Sequence, residues 1–359
     1  MLETGVNSTK PYDKAHFMAL DGLRGVAALV VVFYHRRWWF GHTVFHHGYL
    51  AVDFFFALSG FVIACAYQNR LCKKKMSFAA FVRVRMIRLV PLLAVGTLLG
   101  VLVQVMDAVT RHWTGGIARA VAAAPIAALA LPVPWLQQPF GLDQPSWSLF
   151  FELVINFAFA LTAGRLTNRW LGIVVGAAGL GLIALIASVD LAKVGWDWPM
   201  MAAGLVRVTA PFAVGVALYR LHQAGKLPRV IIPFWLLAVV LSVALVMPEF
   251  PGLLERLYLM LCCLVLFPLL ILTGCQARIA SRWVTIVAFS AELSYPVYIL
   301  HHPMLALFDM AGNLGLAPGG KAMLVEVVLI VIIAVFAARR GEVPLRRMLE
   351  RYAKRSARP

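Results

Sequence analysis

Residues 20–40 read "LDGLRGVAALVVVFYHRRWWF", an apolar run interrupted by Asp21, Arg24 and His35. On an α-helix, at ~100° and ~1.5 Å per residue, Arg24 and His35 fall ~20° apart in rotation and ~16 Å apart along the axis. They share one face at different depths, and Asp21 lies one turn before Arg24 on much the same side. Ionisable groups are costly in hydrocarbon and turn towards a protein interior, a pathway or a site. The stretch reads as a membrane helix whose polar face looks inward.

The rest of the chain supports a membrane setting. It has 359 residues, 62% hydrophobic and only 14% charged, with a mean hydropathy of +0.83. A soluble protein carries about a quarter charged residues. Windows of ~20 apolar residues recur, each long enough for ~30 Å of hydrocarbon. They lack the short alternating segments of a membrane β-barrel. The fold class is all-α and polytopic. The opening "MLETGVNSTKPYDKAHF" has no basic-then-apolar signal pattern, so the first span is expected to be retained. Cys65, Cys72, Cys262, Cys263 and Cys275 show no metal-ligand spacing, and their odd number argues against a disulfide framework. They read as small apolar fillers.

Apolar runs occur near 18–38, 48–68, 86–107, 148–164, 170–189, 200–221, 230–247, 255–274, 284–304 and 321–338. An eleventh candidate, 117–134, contains Arg119 and Pro125. Charge decides whether it crosses. The net charge of +17 is clustered, in "KKK" at 73–75 with Arg83, Arg85 and Arg88, and in the tail "RRGEVPLRRMLERYAKRSARP". If 117–134 does not cross, these clusters and the loops "GRLTNR", "HQAGKLPR" and "CQARIASR" share one side, as the positive-inside rule requires. The expectation is about ten transmembrane helices with both termini cytoplasmic. Residues 1–17 form a cytoplasmic segment, 18–340 the transmembrane domain and 341–359 a basic cytoplasmic tail. Segment 108–147 becomes a long external connection. Arg36 and Arg37 then fall in the first external loop beside Trp38 and Trp39, where they read as snorkelling interfacial residues. With no soluble domain to organise base contacts, nucleic-acid binding is not expected.

This topology places polar residues in two layers. Arg24, Arg85 and Arg88 lie on the cytoplasmic side, the last two at i and i+3 on one helix face. His35, Asp53, Glu152, His301 and His302 fall towards the outside, with Ser59, Glu292 and Tyr295 about mid-depth. The division suggests an anionic ligand from the cytoplasm meeting acid–base chemistry deeper in the membrane. Glu152 also fits as an acid near a helix N-terminus, with Ser148 as its cap.

Five stretches in this order resemble acyltransferase family 3 of integral membrane proteins. They are "LDGLRGVAALVVVFYH", "GYLAVDFFFALSGFVI", "RMIR" leading into "LVP", "PSWSLFFE" and "SYPVYILHHP". The resemblance covers about Leu20 to Arg340. It implies transfer of an acyl group, most often acetyl, from cytoplasmic acyl-coenzyme A to a hydroxyl of a carbohydrate or another envelope molecule. It makes His35 the catalytic histidine, Arg24 its partner, and Arg85 with Arg88 the arginines of the donor site. Some members append an extracellular hydrolase-like domain; here the membrane domain is expected to act alone or with a partner.

These roles suit the chemistry. Arginine presents a planar fork of donors to phosphate, and a histidine with its pKa near ~6.5 is suited to take a proton from a hydroxyl. A thioester is already activated, so no metal is required. Glu152 or Asp53 is expected to set the His35 tautomer, with His301 assisting and Arg24 orienting the donor arm. The expected setting is the bacterial inner membrane, among lipids, with a free or lipid-linked surface-polysaccharide sugar as acceptor. The rival readings are acylation of a small molecule such as an antibiotic, and a proton-coupled transporter. Layered rather than central charges and the lack of a visible inverted repeat weigh against the transporter.

Overall fold

A computed structural model describes residues 17–228, 230–312, 320–342, 344–345 and 348–349. The expected cytoplasmic segment before Phe17 and most of the basic tail lie outside the described residues. Within them the chain is all-helical. Its helices are α1 (Met18–His35), α2 (Ala51–Cys72), α3 (Phe78–Thr110), α4 (Thr114–Ala127), α5 (Ser146–Thr162) and α6 (Asn168–Ser188). They continue with α7 (Met201–Gln223), α8 (Phe234–Val246), α9 (Leu253–Leu261), α10 (Phe267–Gly274), α11 (Ser281–Gly312) and α12 (Gly320–Phe336). A π turn, Cys262–Leu266, joins α9 and α10 into one span. Pro268 follows it, and a proline ring cannot accommodate the carbonyl four residues earlier in a regular helix. Among the described residues, seven helices are long and apolar enough to cross a membrane.

Local signals set several helix starts. Ser77 Oγ accepts from Ala80 N at 3.2 Å and caps α3, and Thr167 Oγ1 accepts from Trp170 N at 3.3 Å to cap α6. The cap at Ser77 lies well before the apolar run expected at 86, so the basic stretch with Arg83, Arg85 and Arg88 is itself helical.

Small residues allow the closest helix approaches, as packing in lipid favours. A Cβ on Gly60 would lie 2.0 Å from the Phe212 carbonyl oxygen, and one on Gly215 would lie 2.0 Å from that of Ala57. These contacts join α2 to α7. A Cβ on Gly25 would meet Ser290 Oγ at 1.8 Å, which locks α1 against α11.

Contact order along each pair fixes relative direction. Arg24 bonds Ser294, the His35 ring lies beside that of His301, and Arg36 bonds Leu305, so α1 and α11 run parallel. Asp53 pairs with Arg207 and Gln68 with Arg220, so α2 and α7 are parallel. Arg85 meets Glu152 while Gly96 abuts Asp143, so α3 and α5 are antiparallel. Helix α4 packs beside α3, through Ala120, Ala123 and Ala127 with Val101 and Leu142. The chain then returns to Gly141, whose carbonyl accepts from Gln104 at 3.0 Å.

Arg36 corrects the sequence reading. It is buried rather than snorkelling, and it donates to Glu326 Oε2 at 2.8 Å, Asp309 Oδ2 at 3.0 Å and the Leu305 carbonyl at 2.9 Å. Its carboxylate partners lie on α11 and α12, more than 270 residues away, and no local pattern marks them. Arg37 lies over the Tyr34 ring, 4.4 Å from its centroid.

Candidate active site

Three helices bring charged groups, and a fourth a serine, to one cavity of about 110 Å³. Arg24 enters from α1, Ser59 from α2, Arg85 and Arg88 from α3, and Ser148 and Glu152 from α5. The i,i+3 spacing of Arg85 and Arg88 puts both on the cavity face, as expected. Arg24 Nε donates to Ser294 Oγ at 2.8 Å, and its Nη2 lies 3.4 Å from Asp21. Arg85 is buried and donates to Glu152 Oε1 at 2.7 Å, an oxygen that also accepts from Ser59 at 2.9 Å. Three guanidiniums thus face one carboxylate, and the cavity is cationic.

His35 faces a different cavity, of about 340 Å³, with Tyr34, Tyr49, Gln144, Trp147 and Arg207 among its walls. Its ring centroid lies 5.0 Å from that of His301 and 5.4 Å from that of His302. His301 Nδ1 donates to the Tyr298 carbonyl at 2.7 Å and to that of Val297 at 3.1 Å. The carbonyls can only accept, so Nδ1 carries the hydrogen and Nε2 has the lone pair. That Nε2 is buried and has no hydrogen-bond partner among the described residues.

Tyr298 lines both cavities. Its hydroxyl lies 2.7 Å from Ser148 Oγ, and this buried pair forms part of the wall between the arginine cavity and the histidine cavity.

Two expected partners of His35 are elsewhere. Both Asp53 oxygens are taken by Arg207, at 2.7 and 3.0 Å, in a fully buried pair. Arg207 also donates to the carbonyls of Leu191 at 2.8 Å and Val194 at 3.2 Å. Glu152 joins Arg85 instead of the histidine layer. Helix α5 starts at Ser146, so Glu152 lies six residues in, ~9 Å below the helix start. Arg207, in the wall of the His35 cavity, is not among the expected site residues, although an arginine in the middle of the apolar run 200–221 is itself a signal.

Residues 18–338 match the model of an acyltransferase domain, that of acyltransferase family 3. The chain belongs to acyltransferase family 3. It is therefore an enzyme that transfers acyl groups other than aminoacyl groups, and it takes an acyl donor and an acceptor. This acyltransferase is also similar to a protein of Rhizobium radiobacter named "Protein 2 in picA locus". The two are 35% identical over 185 residues, covering 48% of this chain and 95% of that protein. No solved structure matches the chain at a significant level.

Proposed function

We propose that this acyltransferase is a membrane-bound O-acetyltransferase of the bacterial inner membrane. It takes acetyl from cytoplasmic acetyl-coenzyme A and places it on a hydroxyl of a surface-polysaccharide sugar, free or lipid-linked. The observation that carries the reading is the pair of cavities meeting at Tyr298, one cationic and one holding His35.

In this reading Arg85 and Arg88 hold donor phosphates, and exposed Lys73, Lys74 and Lys75 draw the anion in. Arg24 reaches the thioester end and balances charge there. In the larger cavity, Tyr34, Tyr49 and Trp147 offer aromatic faces and Gln144 polar contacts, a combination suited to a sugar. His35 takes the proton of the acceptor hydroxyl as its oxygen attacks the thioester carbonyl. The C–S bond breaks, the coenzyme A thiolate leaves, and the proton on His35 goes to that sulfur. His301, with Nε2 directed into the buried interior, assists the proton's passage.

Parallel α1 and α11, parallel α2 and α7, and antiparallel α3 and α5 support a ten-span arrangement, and the clustered basic loops support cytoplasmic termini. They also support a non-crossing segment 117–134. The acyltransferase domain spans 18–340, between a cytoplasmic segment 1–17 and a cytoplasmic tail 341–359.

The test is acetyl transfer from acetyl-coenzyme A by purified protein, compared between wild type and His35→Ala. Loss of a general base costs ~10²–10⁴-fold in rate. Wild-type turnover by a well-folded His35→Ala protein removes His35 from the chemistry. Mass spectrometry of envelope glycans from cells with and without the gene identifies the acceptor; unchanged glycan acetylation counts against a polysaccharide.

A further inference from the structure

A second cluster of side chains lies at the His35 end of the bundle and takes no part in the acyl-transfer site. His46 and His47, in the helical turn His46–Leu50 before α2, meet Glu255 from the first turn of α9. One ligand atom from each lies within 4.8 Å of the other two.

His47 is fully buried, and its Nδ1 lies 2.9 Å from the Met247 carbonyl oxygen. A carbonyl only accepts, so Nδ1 carries the hydrogen. Its Nε2 faces both Glu255 oxygens, at 2.9 and 3.1 Å. In the neutral ring that nitrogen presents a lone pair to a carboxylate, an arrangement that requires a proton or a cation between them. Glu255 is held from behind as well, by the Phe250 N–H at 3.0 Å from Oε2. Backing of both groups by outer hydrogen bonds is the pattern that orients metal ligands.

The third and fourth positions open to a cavity of about 590 Å³. His46 is half-buried there, with Nε2 3.9 Å from Glu249 Oε2. The charges lining this cavity are Glu249, Glu255 and Asp190 against Arg37 and Arg256. Two imidazoles with one or two carboxylates match Zn²⁺ and similar first-row cations, whereas Mg²⁺ and Ca²⁺ prefer all-oxygen shells. Bonds of ~2.1 Å in a tetrahedral shell set ligand atoms about 3.4 Å apart. The three ligand atoms lie within 4.8 Å of one another, so a cation would draw them inward, and half-buried His46 lines the open cavity.

We propose that His46, His47 and Glu255 form a binding site for a Zn²⁺-class cation. The cation clamps the turn before α2 to the first turn of α9 and so braces the adjoining wall, which the His35 cavity shares through Tyr34, Arg37 and Tyr49.

The test uses full-length protein without a polyhistidine tag, stripped with a chelator in detergent and titrated with Zn²⁺. The expected result is one Zn²⁺ per chain and a higher Tm. His46→Ala and Glu255→Gln should each weaken binding at least ~10-fold and abolish the Tm rise. His46→Ala leaves the His47–Glu255 contact intact, so it decides the matter even if Glu255→Gln misfolds. No stoichiometric uptake by the wild type leaves His47 and Glu255 as an imidazolium–carboxylate pair and overturns the proposal. Unchanged affinity in His46→Ala overturns it too.

Discussion

The hydroxyl of Tyr298 lies 2.7 Å from that of Ser148, and Tyr298 belongs to both the arginine-lined and the histidine-lined cavity. A donor thioester in the first cavity and an acceptor hydroxyl in the second would meet beside this side chain. Removing the ring should join the cavities and let water compete with the acceptor. Tyr298→Ala is expected to raise thioester hydrolysis relative to transfer, while Tyr298→Phe keeps the ring in place and changes that ratio little. Paired assays of free acetate and acetylated product read the ratio. An unchanged ratio in Tyr298→Ala shows that the ring does not keep water from the thioester.

The arginine cavity gives a donor-binding prediction. Arg88→Ala should weaken acyl-coenzyme A binding by the loss of one charge-assisted hydrogen bond. That is ~1.5–3 kcal/mol, about tenfold to a hundredfold in affinity. Arg88→Lys should recover part of it, because a point charge replaces a planar fork. Arg85→Ala should lose donor affinity too, and it also leaves Glu152 without its guanidinium partner. Arg88→Ala is therefore the cleaner variant. Calorimetric affinities equal to wild type in both variants remove these arginines from the donor site.

The buried Asp53–Arg207 pair makes a stability prediction. Removing one partner strands the other charge in the bundle interior, at a cost of ~3–5 kcal/mol. Asp53→Ala and Arg207→Ala should each lower Tm and purified yield sharply. The double variant Asp53→Leu with Arg207→Met should be less destabilised than either alone, since no lone charge remains. A double variant as unstable as the sum of the two singles refutes this account.

Asp143 gives a pH prediction. It lies in the connection before α5, is buried, and neither carboxylate oxygen has a hydrogen-bond partner among the described residues. Burial holds its carboxyl well above the usual carboxylate range. The folded protein then binds a proton that the unfolded chain releases above its ordinary pKa of ~3.9. Stability falls as pH rises from that value towards the folded pKa, and levels off above it. Asp143→Asn removes the ionisation. It should raise Tm at neutral pH and leave Tm unchanged near pH ~3. A Tm gain equal at both pH values assigns the effect to packing instead.

Topology is open to cysteine labelling in a background without the five native cysteines. In intact cells, Gln138→Cys should react with a membrane-impermeant reagent, and Ala280→Cys should be protected. Both positions are exposed on the folded chain, so access depends on the side of the membrane. Protection at 138 combined with labelling at 280 means that segment 117–134 crosses.

The sequence by itself established the helical membrane class and the shared face of Arg24 and His35. It also placed Arg85 and Arg88 one turn apart on a single helix face. These are properties of one helix at a time, set by apolar run length and the ~3.6-residue repeat. Charge distribution, which is additive along the chain, led to the expectation of a non-crossing 117–134. Partner choice was not legible. Asp53 and Glu152 have depths that a sequence can approximate, but their partners depend on helix rotation and on which helices touch. The folded chain turns Asp53 towards Arg207 and Glu152 towards Arg85. Arg36, beside two tryptophans, has every local mark of an interfacial residue, yet carboxylates on α11 and α12 draw it inside. The Tyr298 wall and the His46–His47–Glu255 cluster exist only where helices distant in the chain pack together. Side-chain pairing across helices is decided by close packing and by the need to satisfy buried charge, and neither is encoded within a single span.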